Sequence, residues 1–273
     1  MTALAPPAAV ISAFGIDTAP VPQPGGQGVT WRAGDVILKP VVDAVEAAWC
    51  AEVLDRLETD GSFRVARPVA AADGWIVRNW SAWRFVAGTA ADHRVAEIAA
   101  VGAAFHAAVA HLPRPDLLDR CDDPWRYGDR LAWEEEQLPS EGPYVAELRQ
   151  LAALRTPVTD ACQLVHPDLA GNVLFAEPLG PAVIDWPPYW RPPAWATAIV
   201  AVDGMDTGRV APSRALSLGQ GRAWHQHLVR AEMFRLGTKN RAALRGLTLV
   251  DDKIHHRLTV DRLVKLVGNG CGQ

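Results

Sequence analysis

Over the first third of the chain, apolar residues gather in short runs bounded by turn formers. Residues 35–40, 63–69, 75–79 and 82–86 read as strands, with turn-forming residues at Ala71-Ala-Asp-Gly74 and near Ser81. Between the first two runs, residues 43–57 place Val45, Ala48, Trp49, Val53, Leu54 and Leu57 on one broad helical face. From His93 the character changes. Val95, Ile98, Val101, Phe105 and Val109 trace a long amphipathic helix, and helical patterns recur at 124–138, 143–154, 194–205, 222–236 and 255–267. Three short apolar runs interrupt this series: Leu164-Val165, Val173-Leu-Phe175 and Ala182-Val-Ile184. Pro, Gly, Asn and Asp bound them, so they read as small strands holding a loop. The pattern predicts an α+β, bilobal chain: a small β-rich lobe over 1–87 and a larger helical lobe over 88–273, hinged at Ala87-Gly88-Thr89.

Composition narrows the function classes. A chain of 273 residues can bury a sizeable core. It has no apolar run of eighteen residues, and its first ten residues lack the basic start and long apolar stretch of a signal peptide, so a cytoplasmic protein with no membrane partner is expected. Cys50, Cys121, Cys162 and Cys271 lack metal-knuckle spacing and read as reduced, mostly buried thiols. The net charge of −4, with no basic block, argues against a nucleic-acid partner.

The chemistry gathers around Gln163-Leu-Val-His-Pro-Asp-Leu-Ala-Gly-Asn-Val-Leu-Phe175 and Ala182-Val-Ile-Asp-Trp186. An aspartate after a histidine, an asparagine soon after it and a second aspartate beyond an apolar triplet are what phosphoryl transfer needs. One carboxylate orients an attacking hydroxyl, while an amide oxygen and another carboxylate hold Mg²⁺ against a triphosphate. The competing structural reading is that His166 and these aspartates only cap turns. Upstream, Gly25, Gly26 and Gly28 lie between strand-like segments. They suit either a plain hairpin or a loop whose N–H groups approach phosphates. Lys39 ends the next strand and is the sole lysine in the first 238 residues of a chain rich in arginine, which points to a compact ammonium wanted there. Of the helix glutamates Glu46, Glu52 and Glu58, the mid-helix Glu52 is the choice to position that lysine, against the alternative that all three are solvated surface charges.

These motifs together resemble the aminoglycoside phosphotransferase and choline-kinase-like superfamily, distant relatives of protein kinases, in a branch whose composition suggests a high-GC bacterial genome. Gly25-Gly-Gln-Gly28 with Val36-Ile-Leu-Lys39 resembles the phosphate loop and lysine strand, Ala104-Phe-His106 the family's Leu-His pattern, and His166-Pro-Asp168 with Ile184-Asp-Trp186 the catalytic and metal motifs. The resemblance spans roughly residues 20–205. It implies an ATP-dependent kinase, with GTP as an alternative nucleotide, acting on a hydroxyl of a small-molecule acceptor. By the same resemblance Asp168 is the catalytic aspartate, His166 braces its loop, Asn172 and Asp185 are Mg²⁺ ligands, Lys39 contacts the α- and β-phosphates with Glu52 positioning it, and Phe85 to Gly88, including Ala87, offer backbone groups to the adenine. The alternative is a non-catalytic nucleotide-binding scaffold of the same fold.

Three departures stand out. Asn172 follows Asp168 by four residues where the family usually has five, and Pro167, with φ fixed at about −65°, replaces a glycine. In place of the aspartate that commonly anchors the catalytic loop, the chain has Trp186-Pro-Pro-Tyr-Trp-Arg-Pro-Pro-Ala-Trp195. That segment reads as a proline-braced loop, or, through its aromatics and Arg191, as a wall of the acceptor pocket. Glu134-Glu-Glu136 reads as a charged helix face or as an attractor of cationic acceptors. His225, His227, His255 and His256 read as solvated or core-edge histidines rather than metal ligands.

Overall fold

The computed structural model describes residues 5–23, 28–120, 122–247, 249 and 253–269. The expected α+β architecture is found, sheet-rich toward the N-terminus and helical toward the C-terminus. The chain divides into two compact units. Unit one is Met1–Ala90 with Asn172–Trp186, and unit two is Ala91–Gly171 with Pro187–Gln273.

Unit one holds α1 (Ala8–Ala13), β1 (Val21–Pro22), β2 (Trp31–Ala33), β3 (Val36–Pro40), α2 (Ala44–Arg56), β4 (Arg64–Val65), β5 (Ile76–Val77), β6 (Trp80–Arg84) and β7 (Thr89–Ala90), together with β9 (Val173–Ala176) and β10 (Leu179–Val183). One antiparallel sheet runs β1-β2-β3-β6-β5. Val36 and Leu38 of its central strand bury against Val10 of α1 and Phe14 at its C-terminal cap, α1 being a short helix without a long apolar period to signal it in the sequence. Strand alternation puts Lys39 on the face opposite Leu38. The turn expected near Ser81 lies instead at Arg78 and Asn79, both with positive φ, and Val77 pairs Trp80 across it. That is the geometry of a two-residue type I′ hairpin, so Ser81 is a buried strand residue. Asp43 starts α2 by accepting from the Val45 and Glu46 amides at 2.8 and 3.1 Å. Arg67 closes the other end by donating to the carbonyls of Leu54, Asp55 and Leu57. The second sheet, β4-β10-β9-β7, joins strands from both ends of the unit's sequence, β4 running parallel to β10. Gly88 allows a close approach there: its φ is +145°, and a Cβ would lie 2.9 Å from the Leu174 Cβ.

Unit two holds α3 (Val95–Val109), α4 (Pro124–Ala132), α5 (Val145–Ala152), β8 (Gln163–Val165), β11 (Tyr189–Arg191), α6 (Pro193–Asp206), α7 (Pro212–Leu216), α8 (Gly221–Leu244) and α9 (Lys253–Asn269). The buried helix α8 is the hub, packed by α4, α5, α6 and α9. It meets α4 where Gly237 approaches the Gly128 Cα, a Cβ on Gly237 falling 3.1 Å away. The pattern at 124–138 stops as a helix at Ala132, because Glu134 takes φ +67°. Glu134 to Glu136 are therefore not a helix face. The proline-rich segment is not wholly loop either: Tyr189–Arg191 pairs antiparallel with β8, and prolines flank the strand without occupying a ladder position. Cys50 is buried as expected, whereas Cys162 is exposed.

Candidate active site

In unit one, the Lys39 ammonium forms an ion pair with the Asp185 carboxylate, 146 residues further along the chain. The hairpin of β9 and β10 sets Asn172 beside Asp185. Val173 stands opposite Val183, and the Ile184 amide donates to the Asn172 carbonyl at 3.0 Å, so Asn172 and Asp185 leave the same end of the hairpin. Asp185 has φ +52° and a half-exposed carboxylate. Backbone strain of this kind persists only where surrounding structure enforces it, and it clusters at functional positions. The structure does not bring Glu52 to Lys39. Its carboxylate pairs instead with Arg56, one turn along α2, at 3.2 Å on an exposed surface. Gly25 and Gly26 lie outside the described residues, while Gly28 has φ +70° and open space where a Cβ would be. The Phe85 amide donates to the Asp35 carbonyl at 2.7 Å, and the Ala87 carbonyl accepts from Arg64 Nη2 at 3.0 Å, so both backbone groups are engaged within the unit.

Unit two fixes the Asp168 loop at several points. His166 is fully buried at the end of β8 and donates its amide to His106 Nε2 at 3.0 Å. Its own Nδ1 accepts the Asp168 amide at 3.2 Å. Burial, and then the neighbouring His166, push the His106 pKa down to about 3, so this imidazole is a neutral acceptor. Leu169 is buried over Gly102 of α3, and the Gly171 amide donates to Asp92 Oδ1 at 2.9 Å. The Asp168 carboxylate is half exposed and accepts from Arg235 Nη2 at 3.0 Å. Arg235 also forms a two-pronged pair with Asp203, at 2.7 and 2.6 Å. Burial alone would lower the Arg235 pKa, but Asp203 and Asp168 outweigh it and raise it, while burial raises the Asp203 carboxyl against the pull of Arg235. An aspartate thus anchors the loop after all, from α6 and through an arginine of α8. Sequence reasoning passed over both residues. The available signal was a charge inside each of two stretches read as apolar helix faces.

Arg191 makes two-pronged pairs with Asp129 and Glu135 and lies 5.2 Å from the centre of the Trp133 ring. Glu134 pairs with Arg155 and Glu136 with Arg130. Each of the three glutamates thus has an arginine partner within unit two, so the triple glutamate is not an unpaired acidic cluster.

No protein-family model and no curated protein matches the sequence. Solved structures do match over nearly the whole chain. An aminoglycoside phosphotransferase from Alicyclobacillus acidocaldarius is 16% identical, with 98% of each chain covered and a TM-score of 0.60. A choline kinase from Streptococcus pneumoniae is 11% identical, covering 95% of this chain and 96% of its own, at 0.61. A spectinomycin phosphotransferase solved with ADP and spectinomycin is 13% identical, covering 95% of each, at 0.59. The chain has the aminoglycoside phosphotransferase and choline kinase fold. Identities this low establish the phosphotransferase fold and leave activity to be argued from residues. No helix among the described residues is long and apolar enough to cross a membrane.

Proposed function

We propose that the chain is an ATP-dependent phosphotransferase that moves the γ-phosphoryl group to a hydroxyl of a small molecule. The observation that carries the reading is the convergence of Lys39, Asn172 and Asp185 at one end of the β9 and β10 hairpin, from positions far apart in sequence. An ammonium, an amide oxygen and a carboxylate are the parts that receive a triphosphate with its metal. Asn172 and Asp185 are hard oxygen donors of the kind Mg²⁺ takes alongside phosphate oxygens and water, and they would hold the ion. Mg²⁺, when bound, neutralises charge on the phosphoryl group. Lys39 exchanges Asp185 for phosphate oxygens as the nucleotide arrives. Asp168 orients the acceptor hydroxyl, and Arg235 fixes that carboxylate's direction. Pairing with arginine weakens a carboxylate as a base, but phosphoryl transfer through a loose transition state asks mainly for positioning.

The test is thermal stability with ATP or GTP, with and without Mg²⁺, followed by an assay of phosphoryl transfer to alcohol acceptors. A Mg²⁺-dependent rise with ATP is expected. Asp168→Asn should keep that rise and abolish turnover. A wild-type chain that shows the rise but transfers nothing to any acceptor is a nucleotide-binding scaffold. Absence of a rise with either nucleotide at millimolar concentration overturns nucleotide binding altogether.

A further inference from the structure

Within unit two, three helices bury one ionisable residue each at a common point. Asp206 ends α6, Glu232 lies midway along α8, and His256 sits in the first turn of α9, at 3%, 0% and 1% exposure. His256 Nδ1 lies 2.9 Å from both Asp206 Oδ2 and Glu232 Oε1, and one candidate ligand atom from each residue falls within 4.8 Å of the others. Among the described residues no hydrogen bond is donated to either Asp206 oxygen or to Glu232 Oε2, and the Glu232 and Asp206 carboxyls lie within hydrogen-bond reach of each other. No arginine or lysine among the described residues pairs with either carboxylate. Thr259, three residues along α9 from His256 and hence on the same face, also buries a hydroxyl without a partner.

Two carboxylates in a dry interior, with three unmet oxygens between them, demand positive charge. A divalent ion with two carboxylates and a neutral imidazole sums to zero and satisfies those oxygens together. We propose that Asp206, Glu232 and His256 bind one divalent first-row metal ion, zinc by preference, which ties α6, α8 and α9 together. One nitrogen and two oxygens are a zinc-type donor set, and imidazole favours zinc over Mg²⁺, which takes oxygen donors and retains several waters. Ligand atoms held at about 2.0–2.2 Å from a tetrahedral ion stand roughly 3.4 Å apart. The 2.9 Å contacts therefore open by about half an ångström as the ion enters, within reach of side-chain torsions. The alternative occupant is a proton: burial, and then Asp206, push the Glu232 pKa up to about 8.

The experiment strips the whole protein with a chelator and titrates it with Co²⁺, Zn²⁺ and Mg²⁺. The expected result is one equivalent of Co²⁺ with visible d–d bands that Zn²⁺ displaces. The melting temperature should rise by about 5–10 °C with Zn²⁺ and not with Mg²⁺ alone. Glu232→Gln, which mimics the protonated carboxyl and so should fold, is expected to lose both responses. Two results overturn the proposal. Wild-type protein with neither cobalt bands nor a zinc shift holds protons at this point. A Glu232→Gln variant that responds like wild type places the ion elsewhere, at an exposed histidine such as His255. This test does not depend on the phosphotransfer reading, because it needs no nucleotide and no acceptor.

Discussion

Burial makes His106 a pH sensor for the fold. In the unfolded chain an imidazole titrates at about 6.5, whereas in the folded chain His106 titrates at about 3. Between those values the unfolded state binds a proton that the folded state refuses, so stability is full above about pH 6.5 and falls as pH drops toward 3. One such group contributes up to about 1.4 kcal/mol per pH unit inside that window. His227, lowered in the same direction by burial and partly held up by Asp160, adds to the slope. His106→Gln keeps an acceptor for the His166 amide but does not titrate. Urea unfolding from pH 7 to 4 should show a shallower acid slope in that variant, and an unchanged slope would discard the assignment. At this scale motif order singled out Lys39 and Asp185, which the structure pairs, and Asn172, which leaves the same end of the hairpin as Asp185. The sequence hid Arg235 and Asp203, because their pairing depends on how two helices rotate against each other and no local spacing encodes that.

Helix packing carries its own predictions. At the crossing of α4 and α8, a Cβ on Gly128 would lie 2.4 Å from Thr238 Oγ1, 2.5 Å from the Phe234 carbonyl oxygen and 2.8 Å from the Thr238 amide nitrogen. Two of those three atoms are backbone and cannot step aside. Gly128→Ala gains about 1 kcal/mol of helix propensity and loses more to overpacking, for a net loss of about 2 kcal/mol. Gly102→Ala meets only the tip of the Leu169 side chain, at 2.4 Å, and should be close to neutral in urea unfolding. Parity of the two variants would show that the crossing yields. The link between α6 and α8 tests differently. Arg235→Met leaves Asp203 buried without its cation and should cost about 3 kcal/mol, whereas Arg235→Met with Asp203→Leu should recover most of that stability. Turnover should not return with it, since Asp168 still lacks its anchor; recovery of activity would dismiss Arg235 as a positioning residue. Elements bounded by clear chemistry were legible, α2 through its Asp43 cap being one. The strand β11 was not, because four prolines in ten positions outweigh its three ladder residues, and α1 is too short to show a period.

At the scale of the whole molecule, unit one is built from two separated pieces of chain. The pairs β4 with β10 and β7 with β9 each join one piece to the other. Residues 1–90 expressed alone should therefore show no cooperative thermal transition by circular dichroism, in contrast to the full chain. A sharp transition in that fragment would mean that the five-stranded sheet and α1 suffice. The order of synthesis gives the same feature a further consequence. Thr89 and Ala90 leave the ribosome with no strand to pair with, and their partners Phe175 and Leu174 emerge about 85 residues later. At about 5–20 residues per second, the exposed edges wait on the order of ten seconds. Throughout that interval the half-made sheet is open to association with other nascent chains. Translation speed across 91–171, a region that contributes no strand to either sheet of unit one, should then govern how much of the protein is recovered soluble.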